Sequence, residues 1–426
     1  MTAPDAVFDG AARGRALWCE IESHLSEHWY KADIEAVKVQ VACMAAHFIT
    51  DFPPAWCMAI APPGSCKTVI LEAMDGLDSF YLIDQITPST FISGKIDDND
   101  LHTKAGRAKW LKRQKQNPAN ITTFANPQAQ EREAKKGKRH ESASLLHRIG
   151  NSGIIALPDF STILSMHETS RDNIFAQMRR IYDGTLRREF GTSEDLSDRE
   201  WHGRVTSMVA VTPEVDRYGK MFGALGDRFL RVRWSRAGGV GAMKAAAKQD
   251  RLTTESLKTA THLLMAPYID HGGASEVPTI PDAMLERIGH LSEFVCIART
   301  YVHRDKNEID CEPSPESNTR LPQQLCQVAR GWTALMGERA VGEEAFALVN
   351  RVAMDCLPPM RRHVLDNLSA GRPIYDGTVS ANGVDRAVEE LIWLNIIRPP
   401  DEPDKRELTE MAQCLLTMSG AQKAKV

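Results

Sequence analysis

The chain has 426 residues, of which 42% are hydrophobic and 25% charged, and its formal net charge is -4. This length allows two or three domains with a large core, and the charge balance excludes a globally basic protein, so any contact with nucleic acid has to come from a local patch. Nine cysteines without a C-x-x-C pair or a zinc spacing predict buried thiols in a reducing cytoplasm, and the sequence shows neither a signal pattern at its N-terminus nor an apolar stretch long enough for a membrane span.

The first 50 residues are predicted to form an N-terminal helical segment. The stretch "ADIEAVKVQVACMAAHFI" has apolar residues at helical spacing, and "DFPP" at 51–54 ends it. The short apolar run "AWCMAIA" that follows predicts a buried parallel strand. After a loop, the helix "TVILEAMDGL" and the strand "SFYLID" are predicted.

Residues 95–143 differ in composition from the segments on either side. They hold twelve Lys or Arg against six Asp or Glu, a surplus of six positive charges, and few aliphatic residues. This composition predicts a basic insertion that leaves the core of the domain.

The core resumes after the insertion, with a helix at "NIFAQMRRIYDG" and strands at "GIIAL", "EFGT", "WHGRVTSMVAVT" and "RFLRVRW". Strands that alternate with helices predict an α/β fold for residues 51–236, a parallel sheet with helices on both faces. Residues 237–357 show helical periodicity and predict a helical lid. From Pro358, two helices followed by a hairpin or short tail predict a winged-helix-like unit over residues 358–426.

The stretch "IAPPGSCKTVILEA", residues 60–73, is similar to the phosphate-binding pattern G-x-x-x-x-G-K-[ST], with Ala61 and Cys66 in place of the two glycines. A strand, a tight loop and a helix N-terminus turn backbone N–H groups toward an anion. In this pattern the Lys reaches the β- and γ-phosphates and the hydroxyl of the next residue ligates Mg²⁺. The predicted ATP-binding residues are Pro63, Gly64, Ser65, Cys66, Lys67, Thr68 and Val69. A chance "GSCKT" at a helix start is the alternative.

The order of motifs over residues 55–400 resembles that of the AAA+ P-loop ATPases. More closely, the chain looks like a group encoded by phages and integrative elements and related to the MCM-like helicases. The phrases that carry this resemblance after the loop are "ITPSTFISG", "LPDFSTILSM", "IYDGTLRREFGT", "VAVTPEVD" and "LGDRFLRVRW". The resemblance implies a site for ATP and Mg²⁺ that a neighbouring subunit completes.

In such proteins a strand ends in two acids, one that orders Mg²⁺ through water and one that polarises the attacking water. Here "IIALPDF" supplies only Asp159, and the spacing leaves open which of the two roles it takes. One carboxylate is missing in either case, which predicts slow hydrolysis; a local hydrogen bond at the strand end is the alternative role of Asp159. Thr212 matches the polar sensor that helps orient water, or else belongs to a turn before Pro213.

The resemblance also assigns two arginines. Arg228 in "LGDRFLRV" matches an arginine finger that a subunit supplies to its neighbour, and an ion pair with Asp227 or Asp183 is the alternative. Arg320 matches the second sensor of the lid, which reaches the γ-phosphate, and Arg330 is a weaker candidate for the same role. A surface position without a function is the alternative for Arg320.

Two features predict contact with DNA. Lys and Arg between Lys95 and Arg139 could neutralise phosphates, and Trp110 could stack on a base, although a basic run is also typical of a solvated surface. In the winged-helix-like unit, "SANGVDRAVEELIWLNIIR" would be the recognition helix. Glu389 and Glu390 in it do not favour phosphate contact, and winged helices also dock proteins.

The resemblance implies a cytoplasmic ATP hydrolase that assembles as a hexameric ring and acts on DNA, as a replication helicase or initiator of a phage or mobile element. The missing acid and Cys66 favour an alternative, a slow nucleotide switch such as a helicase loader, an adaptor or a phage-defence component. A third possibility is a remodeller of protein partners. The motor predicts ATP turnover that single-stranded DNA stimulates, the switch predicts nucleotide-dependent oligomers with little turnover, and the remodeller predicts stimulation by protein.

Overall fold

The computed structural model describes residues 3–29, 32–51, 53–92, 144–188, 200–225, 227–235, 239–270, 276–306, 308–399 and 406–421. The chain divides into two compact units, the first comprising Met1–Asp84, Ile154–Ser165 and Thr206–Val426 and the second Gln85–Gly153 and Met166–Val205. The predicted basic insertion with Trp110 and the predicted strand "EFGT" lie outside the described residues. Over the described ranges, no helix is both long and apolar enough to cross a membrane.

The strands, in chain order, are β1 (Trp56–Ile60), β2 (Phe80–Leu82), β3 (Ser152–Leu157), β4 (Thr185–Arg187), β5 (Glu200–His202), β6 (Arg204–Val211), β7 (Phe229–Arg233), β8 (Arg304–Asp305) and β9 (Glu308–Ile309). The helices are α1 (Ala3–His28), α2 (Ile34–Ile49), α3 (Val69–Ala73), α4 (Leu145–Ile149), α5 (Ser161–Leu164), α6 (Glu168–Tyr182), α7 (Gly219–Leu225), α8 (Val240–Ala246), α9 (Arg251–Asp270), α10 (Asp282–Arg299), α11 (Arg320–Leu335), α12 (Glu343–Asp355), α13 (Pro359–Ser369), α14 (Ala381–Trp393) and α15 (Glu410–Ser419). A 3₁₀ helix covers Pro213–Tyr218.

A five-stranded parallel sheet of order β2-β3-β6-β1-β7 confirms the predicted α/β fold. The predicted strands are continuous apolar runs because the strands of a covered parallel sheet are buried on both faces, and every residue of β1 is buried. Ile60, the last residue of β1, is paired with Val211 of β6 on one side and with Arg233 of β7 on the other. The carboxyl ends of the three central strands β6, β1 and β7 therefore meet at one edge of the sheet, which is where ligands bind in open α/β sheets.

Helix α2, the second helix of the N-terminal segment, packs against α11, β1 and β7 in the core of the first unit. Gly331 in α11 makes this approach possible, because a Cβ atom at that position would lie 2.0 Å from the carbonyl oxygen of Ala42 in α2. The helices α2 and α11, which are far apart in the sequence, thus share one hydrophobic core.

Asp33 fastens the start of α2 to the end of β7. Its carboxylate accepts hydrogen bonds from Ala36 N at 3.1 Å, from Ser235 N at 2.8 Å and from both Nη atoms of Arg351 at 2.7 Å. Burial alone would raise the pKa of Asp33, but the bonds from Arg351 and Ser235 outweigh burial and hold this pKa below its usual value. Such a forked, charge-assisted contact fixes orientation as well as adding energy.

The C-terminal segment contains the two predicted helices, α13 and α14, but a winged helix is not confirmed. The β pairing among its described residues is a single antiparallel bridge between Ile397 and Leu408. The chain then forms a third helix, α15, where a hairpin or a short tail was predicted, so this part of the prediction is wrong. Ala412 and Leu416, four residues apart, are buried on α15, which packs against α10.

The second unit contains α4, α6 and the antiparallel pair β4–β5. The single strand predicted over "WHGRVTSMVAVT" is wrong in extent, because β5 pairs with β4 whereas β6 belongs to the five-stranded sheet. Helix α6 ends at Tyr182, and Gly184 follows with a positive φ of 81°, as the predicted helix end required. The Trp201 Nε1 atom donates to the Gly150 carbonyl at 2.7 Å, which satisfies the polar end of a buried indole.

Candidate functional site

The predicted phosphate loop connects the end of β1 to α3. The Ala61 N–H still belongs to the sheet, since it donates to the Val211 carbonyl at 3.1 Å. The chain then turns, with the Ser65 hydroxyl donating to the Pro62 carbonyl at 2.8 Å and the Val69 N–H donating to the Cys66 carbonyl at 3.2 Å. These short-range bonds give the loop a defined shape.

Five consecutive backbone N–H groups of the loop, those of residues 64–68, make no hydrogen bond to any described residue. Backbone donors in folded proteins nearly always have a partner, which here is either water or an anion. Helix α3 has only five residues, fewer than predicted, because turns replace it from Met74 onward. The loop N–H groups and Lys67, more than a helix macrodipole, therefore provide the attraction for phosphate.

Position 66 carries a cysteine where the phosphate-binding pattern has a glycine, and the backbone there adopts a conformation that is strained for cysteine. Cys66 has a φ of +61°, in the left-handed region, and Gly64 two residues earlier has a φ of +74°. A side chain in this region is strained by about 1–2 kcal/mol, which is the reason that glycine is the usual residue there. The thiol is half-buried, and burial raises the pKa of Cys66, so the group is a neutral thiol at neutral pH.

We expect Cys66→Gly to raise the free energy of unfolding by up to about 1 kcal/mol, because glycine adopts the positive φ without strain. Urea denaturation measures this change. Ser79→Gly is the matched control, since Ser79 also has a positive φ, of 63°, but lies outside the loop. Both variants should gain stability, whereas only Cys66→Gly should change the affinity for nucleotide; equal affinities in both variants would contradict a phosphate contact at position 66.

Lys67 is half-buried beside the loop and forms no ion pair with any described carboxylate. Burial lowers the pKa of Lys67, and the negative charge of Asp159 partly opposes that shift. The two predicted site residues are therefore close enough to interact electrostatically. A partly desolvated ammonium group without a paired carboxylate is suited to an anionic ligand.

Asp159 follows the end of β3 and is exposed. Its Oδ1 atom accepts a hydrogen bond from the Ser161 N–H at 3.0 Å, and its carbonyl accepts one from the Thr162 hydroxyl at 2.9 Å. The local hydrogen bond predicted as the alternative role is present, and it uses one carboxylate oxygen. The geometry leaves the other oxygen, Oδ2, for a ligand.

Thr212 follows the end of β6 and lies beside the segment that carries Asp159. Its Oγ1 atom is 3.5 Å from the hydroxyl oxygen of Ser161, and the Phe160 N–H donates to the Ala210 carbonyl at 2.9 Å. The structure thus brings Lys67, Asp159 and Thr212 to the same edge of the sheet. Ser161 was missed by the sequence reasoning; its place two residues after the acid in "PDFS" is the only signal for it.

A second feature of this edge that the sequence did not reveal is the fork between Arg233 and Asp216. The two guanidinium Nη atoms of Arg233 donate to the Asp216 carboxylate at 2.7 and 2.9 Å, and the Arg233 N–H donates to Asp355 Oδ2 at 2.9 Å. The 3₁₀ helix after Thr212 is thereby fixed to the end of β7 and to the end of α12. No local pattern predicts this contact, because its three residues are far apart in the sequence.

Arg228 and Arg320 lie at the other end of the sheet. Arg228 directly precedes β7, whose first residue, Phe229, is paired with the first residue of β1, so it is about 15 Å from the carboxyl edge by the rise per strand residue. The Arg320 Nη1 atom is 3.5 Å from the carbonyl oxygen of Asp227. The structure therefore brings these two arginines to one place, away from Lys67 of the same chain.

The contacts around Arg228 bear on its two predicted roles, an arginine finger and an ion pair with Asp227 or Asp183. The Asp227 carboxylate accepts a bond from Arg231 Nη2 at 2.7 Å, so this acid already has an ion-pair partner. Gln324 Nε2 donates to the Arg228 carbonyl at 2.6 Å and holds the backbone of this segment against α11. Arg330, the weaker candidate for the second sensor, lies ten residues beyond Arg320 on the same helix.

No protein-family model matches the chain, and no curated protein matches it. Among the solved structures that match is the crystal structure of a candidate ATPase from Cytophaga hutchinsonii ATCC 33406, which is 12% identical. The match covers 84% of this chain and 90% of that chain, with a TM-score of 0.41. A likeness this distant carries no argument about function, so the proposals below depend on the geometry of the chain itself.

Proposed function

We propose that the chain is a P-loop ATPase of the AAA+ type that binds ATP with Mg²⁺. One observation carries this proposal: five unused N–H groups and Lys67 lie at the end of β1, at the sheet edge that also carries Asp159 and Thr212. Backbone donors and a lysine recognise phosphates, and a carboxylate and a hydroxyl near them provide the polar groups that phosphoryl transfer needs.

Two side chains fit the requirements of Mg²⁺, which binds oxygen ligands. Thr68 is the residue before α3, and its hydroxyl makes no capping bond to the helix, so it is available as a ligand. Asp159 supplies the second oxygen, Oδ2, because Oδ1 accepts the Ser161 N–H. When bound, the ion would neutralise negative charge on the phosphates.

Hydrolysis at this site should be slow. The negative charge of Asp159 acts on Lys67, and the sequence supplies only this acid at the end of β3, where the resemblance implies two. The remaining polar groups, the hydroxyls of Thr212 and Ser161, are 3.5 Å apart and can orient a water molecule but cannot accept its proton as efficiently as a carboxylate. This observation favours the second candidate function, a nucleotide-dependent switch.

We further propose that the active form is a ring, a hexamer, in which Arg228 and Arg320 act on the nucleotide of a neighbouring subunit. The support is their common position at the end of the sheet opposite Lys67, where they cannot serve the site of their own chain. An arginine supplied in this way stabilises the charge that develops on the transferred phosphoryl group.

We propose DNA as the macromolecular partner and replication of a phage or mobile element, in the cytoplasm, as the process. The support is the basic composition of residues 95–143 and the ion pairs of the C-terminal unit. Glu389 pairs with Arg304 at 2.7 Å and Glu390 pairs with Arg361 at 2.9 Å, so these acids of α14 are already compensated and repel phosphate less than the sequence suggests. Five of the nine cysteines are buried, whereas Cys19, Cys311 and Cys414 are exposed, so the prediction of buried thiols is wrong for these three.

The test is ATP turnover with and without single-stranded DNA, together with the mass of the particle with and without ATP. The proposal predicts a nucleotide-dependent oligomer whose turnover DNA stimulates. An oligomer with little turnover and no effect of DNA would favour the switch, and stimulation by a protein partner alone would favour a remodeller. A monomer that neither binds nor hydrolyses ATP would exclude all three.

A further inference from the structure

A cavity of about 440 Å³ lies at the amino end of β7, at the opposite end of that strand from the phosphate loop. The rings of Phe222 and Tyr301 form part of its wall. Three arginines from different elements also line it, Arg231 from β7, Arg299 from the end of α10 and Arg361 from α13. The volume is that of a site for a small organic molecule.

All three arginines are buried, which is unusual for this residue type. Arg231 is 8% exposed, and the side chains of Arg299 and Arg361 are 7% and 4% exposed. A guanidinium group has five N–H donors, and burial away from water makes every unused donor costly. The donors that remain without a partner therefore indicate which kind of ligand the cavity can bind.

Arg231 uses its donors incompletely. Its Nη2 atom donates to the Asp227 carboxylate at 2.7 Å, and its guanidinium carbon lies 5.3 Å from the ring centre of Phe222. Its Nε atom is buried and has no hydrogen-bond partner among the described residues. Its Nη1 atom also has no partner among the described residues and, unlike Nε, is not fully buried, so Nη1 is the donor that an acceptor inside the cavity can reach.

The other two arginines each have one nitrogen without a hydrogen-bond partner among the described residues, and neither nitrogen is fully buried. Arg299 donates from Nε and Nη2 to the Glu316 carboxylate, and its Nη1 atom has no partner among the described residues. Arg361 donates from Nε to Glu390 at 2.9 Å and from Nη1 to two backbone carbonyls, and its Nη2 atom has no partner within that part of the chain. Burial lowers the pKa of the Arg361 guanidinium by more than Glu390 restores it.

We propose that this cavity is a binding site for a small molecule that carries a phosphate or carboxylate group. Each arginine contributes at least one unused donor, and an oxyanion with several lone pairs is the ligand that can accept from more than one guanidinium. The charged groups that line the cavity are Lys220, Arg231, Arg299 and Arg361 on the positive side and Asp227, Glu312 and Glu316 on the negative side. Arg231 pairs with Asp227, Arg299 with Glu316 and Arg361 with Glu390, so the unused N–H donors, and not a surplus of positive charge, would recognise the anion.

A ligand in the cavity would act indirectly on the proposed subunit contact, through Arg231 and Asp227. Arg231 holds the Asp227 carboxylate, and the Asp227 carbonyl contacts Arg320. An anion on Arg231 would compete with Asp227 for the guanidinium and so act on the segment that carries Arg228. The binding site itself does not depend on the proposed ATPase activity.

The test is isothermal titration calorimetry with inorganic phosphate, pyrophosphate and citrate, in a chain that carries Lys67→Ala so that the phosphate loop does not contribute. We expect one site per chain for at least one of these probes. Phosphate and pyrophosphate binding without citrate binding would identify a phosphate site, and the reverse would identify a carboxylate site.

Two variants test the location of the site, each in the Lys67→Ala chain. Arg231→Gln should weaken binding at least tenfold, because it removes one guanidinium. Ser314→Trp should do the same sterically, since Ser314 is an exposed residue of the cavity wall, whereas Ser317→Trp, an exposed position of the same loop outside the wall, should leave binding unchanged. No binding of any probe would show that water alone satisfies the arginines, and binding that survives Ser314→Trp and Arg231→Gln would place the anion elsewhere; either result overturns the proposal.

Discussion

Replacing Lys67 by alanine is expected to weaken the binding of MgATP by about 100-fold and to abolish turnover. A hydrogen bond to a charged group is worth about 1.5–3 kcal/mol, and each 1.4 kcal/mol corresponds to a factor of ten in affinity. Lys67 is partly desolvated and has no described carboxylate partner, so the protein loses no ion pair of its own when the side chain is removed. The fold should therefore survive the substitution, and the loss should be confined to the nucleotide.

Lys248→Ala is the matched control, because Lys248 is an exposed lysine of the same unit. It should bind and turn over ATP like the unmodified chain. Calorimetry with MgATP and a phosphate-release assay measure both effects, and a circular dichroism spectrum checks the fold. If Lys67→Ala binds MgATP as tightly as the unmodified chain, the phosphate site has been assigned to the wrong loop.

Replacing Arg228 by alanine is expected to lower turnover by about 1000-fold with little change in ATP affinity. An arginine that a neighbour supplies acts on the transition state of phosphoryl transfer and contributes a factor of this order or more. The structure places Arg228 at the opposite end of β7 from the loop, so in the proposed ring it would act on the nucleotide of another subunit. Arg217→Ala is the control, because the Arg217 side chain is 79% exposed and, within the described part of the chain, pairs only with its neighbour Glu214.

Mixing two inactive variants distinguishes an action between subunits from an action within one. A Lys67→Ala subunit has an intact Arg228, and an Arg228→Ala subunit has an intact loop. Mixed oligomers should therefore recover part of the turnover that neither variant has alone. The absence of recovery in oligomers shown to be mixed would contradict an arginine finger, as would full activity of Arg228→Ala by itself.

The sequence predicted those parts of the fold that local pattern determines. The buried strands β1, β3, β6 and β7 are continuous apolar runs, and the helices α9 to α14 follow the 3.6-residue period. The helix α15 was missed because its ten residues were assigned to a hairpin or short tail, and only packing on α10 distinguishes such a segment from a tail. Helix α3 was predicted too long because its periodicity continues past the turn at Met74.

The candidate site was predictable to the extent that its residues belong to motifs. The loop, Asp159 and Thr212 follow three strands of one parallel sheet, so the order of the strands brings them together. The contacts that fix their positions were not predictable: the Ser161 hydroxyl beside Thr212 and the fork between Arg233 and Asp216 join segments that no local spacing relates. The sequence showed only that Cys66 replaces a glycine of the pattern, whereas the structure shows that the backbone there keeps a positive φ, which glycine adopts readily.

The most direct test of the central claim is an experimental structure of the chain with a non-hydrolysable ATP analogue and Mg²⁺. The account predicts triphosphate density within hydrogen-bond distance of the N–H groups of residues 64–68 and of the Lys67 ammonium group. It also predicts a metal ion held by Thr68 and close to Asp159. A loop that stays empty with the Cys66 side chain across it, at saturating analogue, would contradict the account.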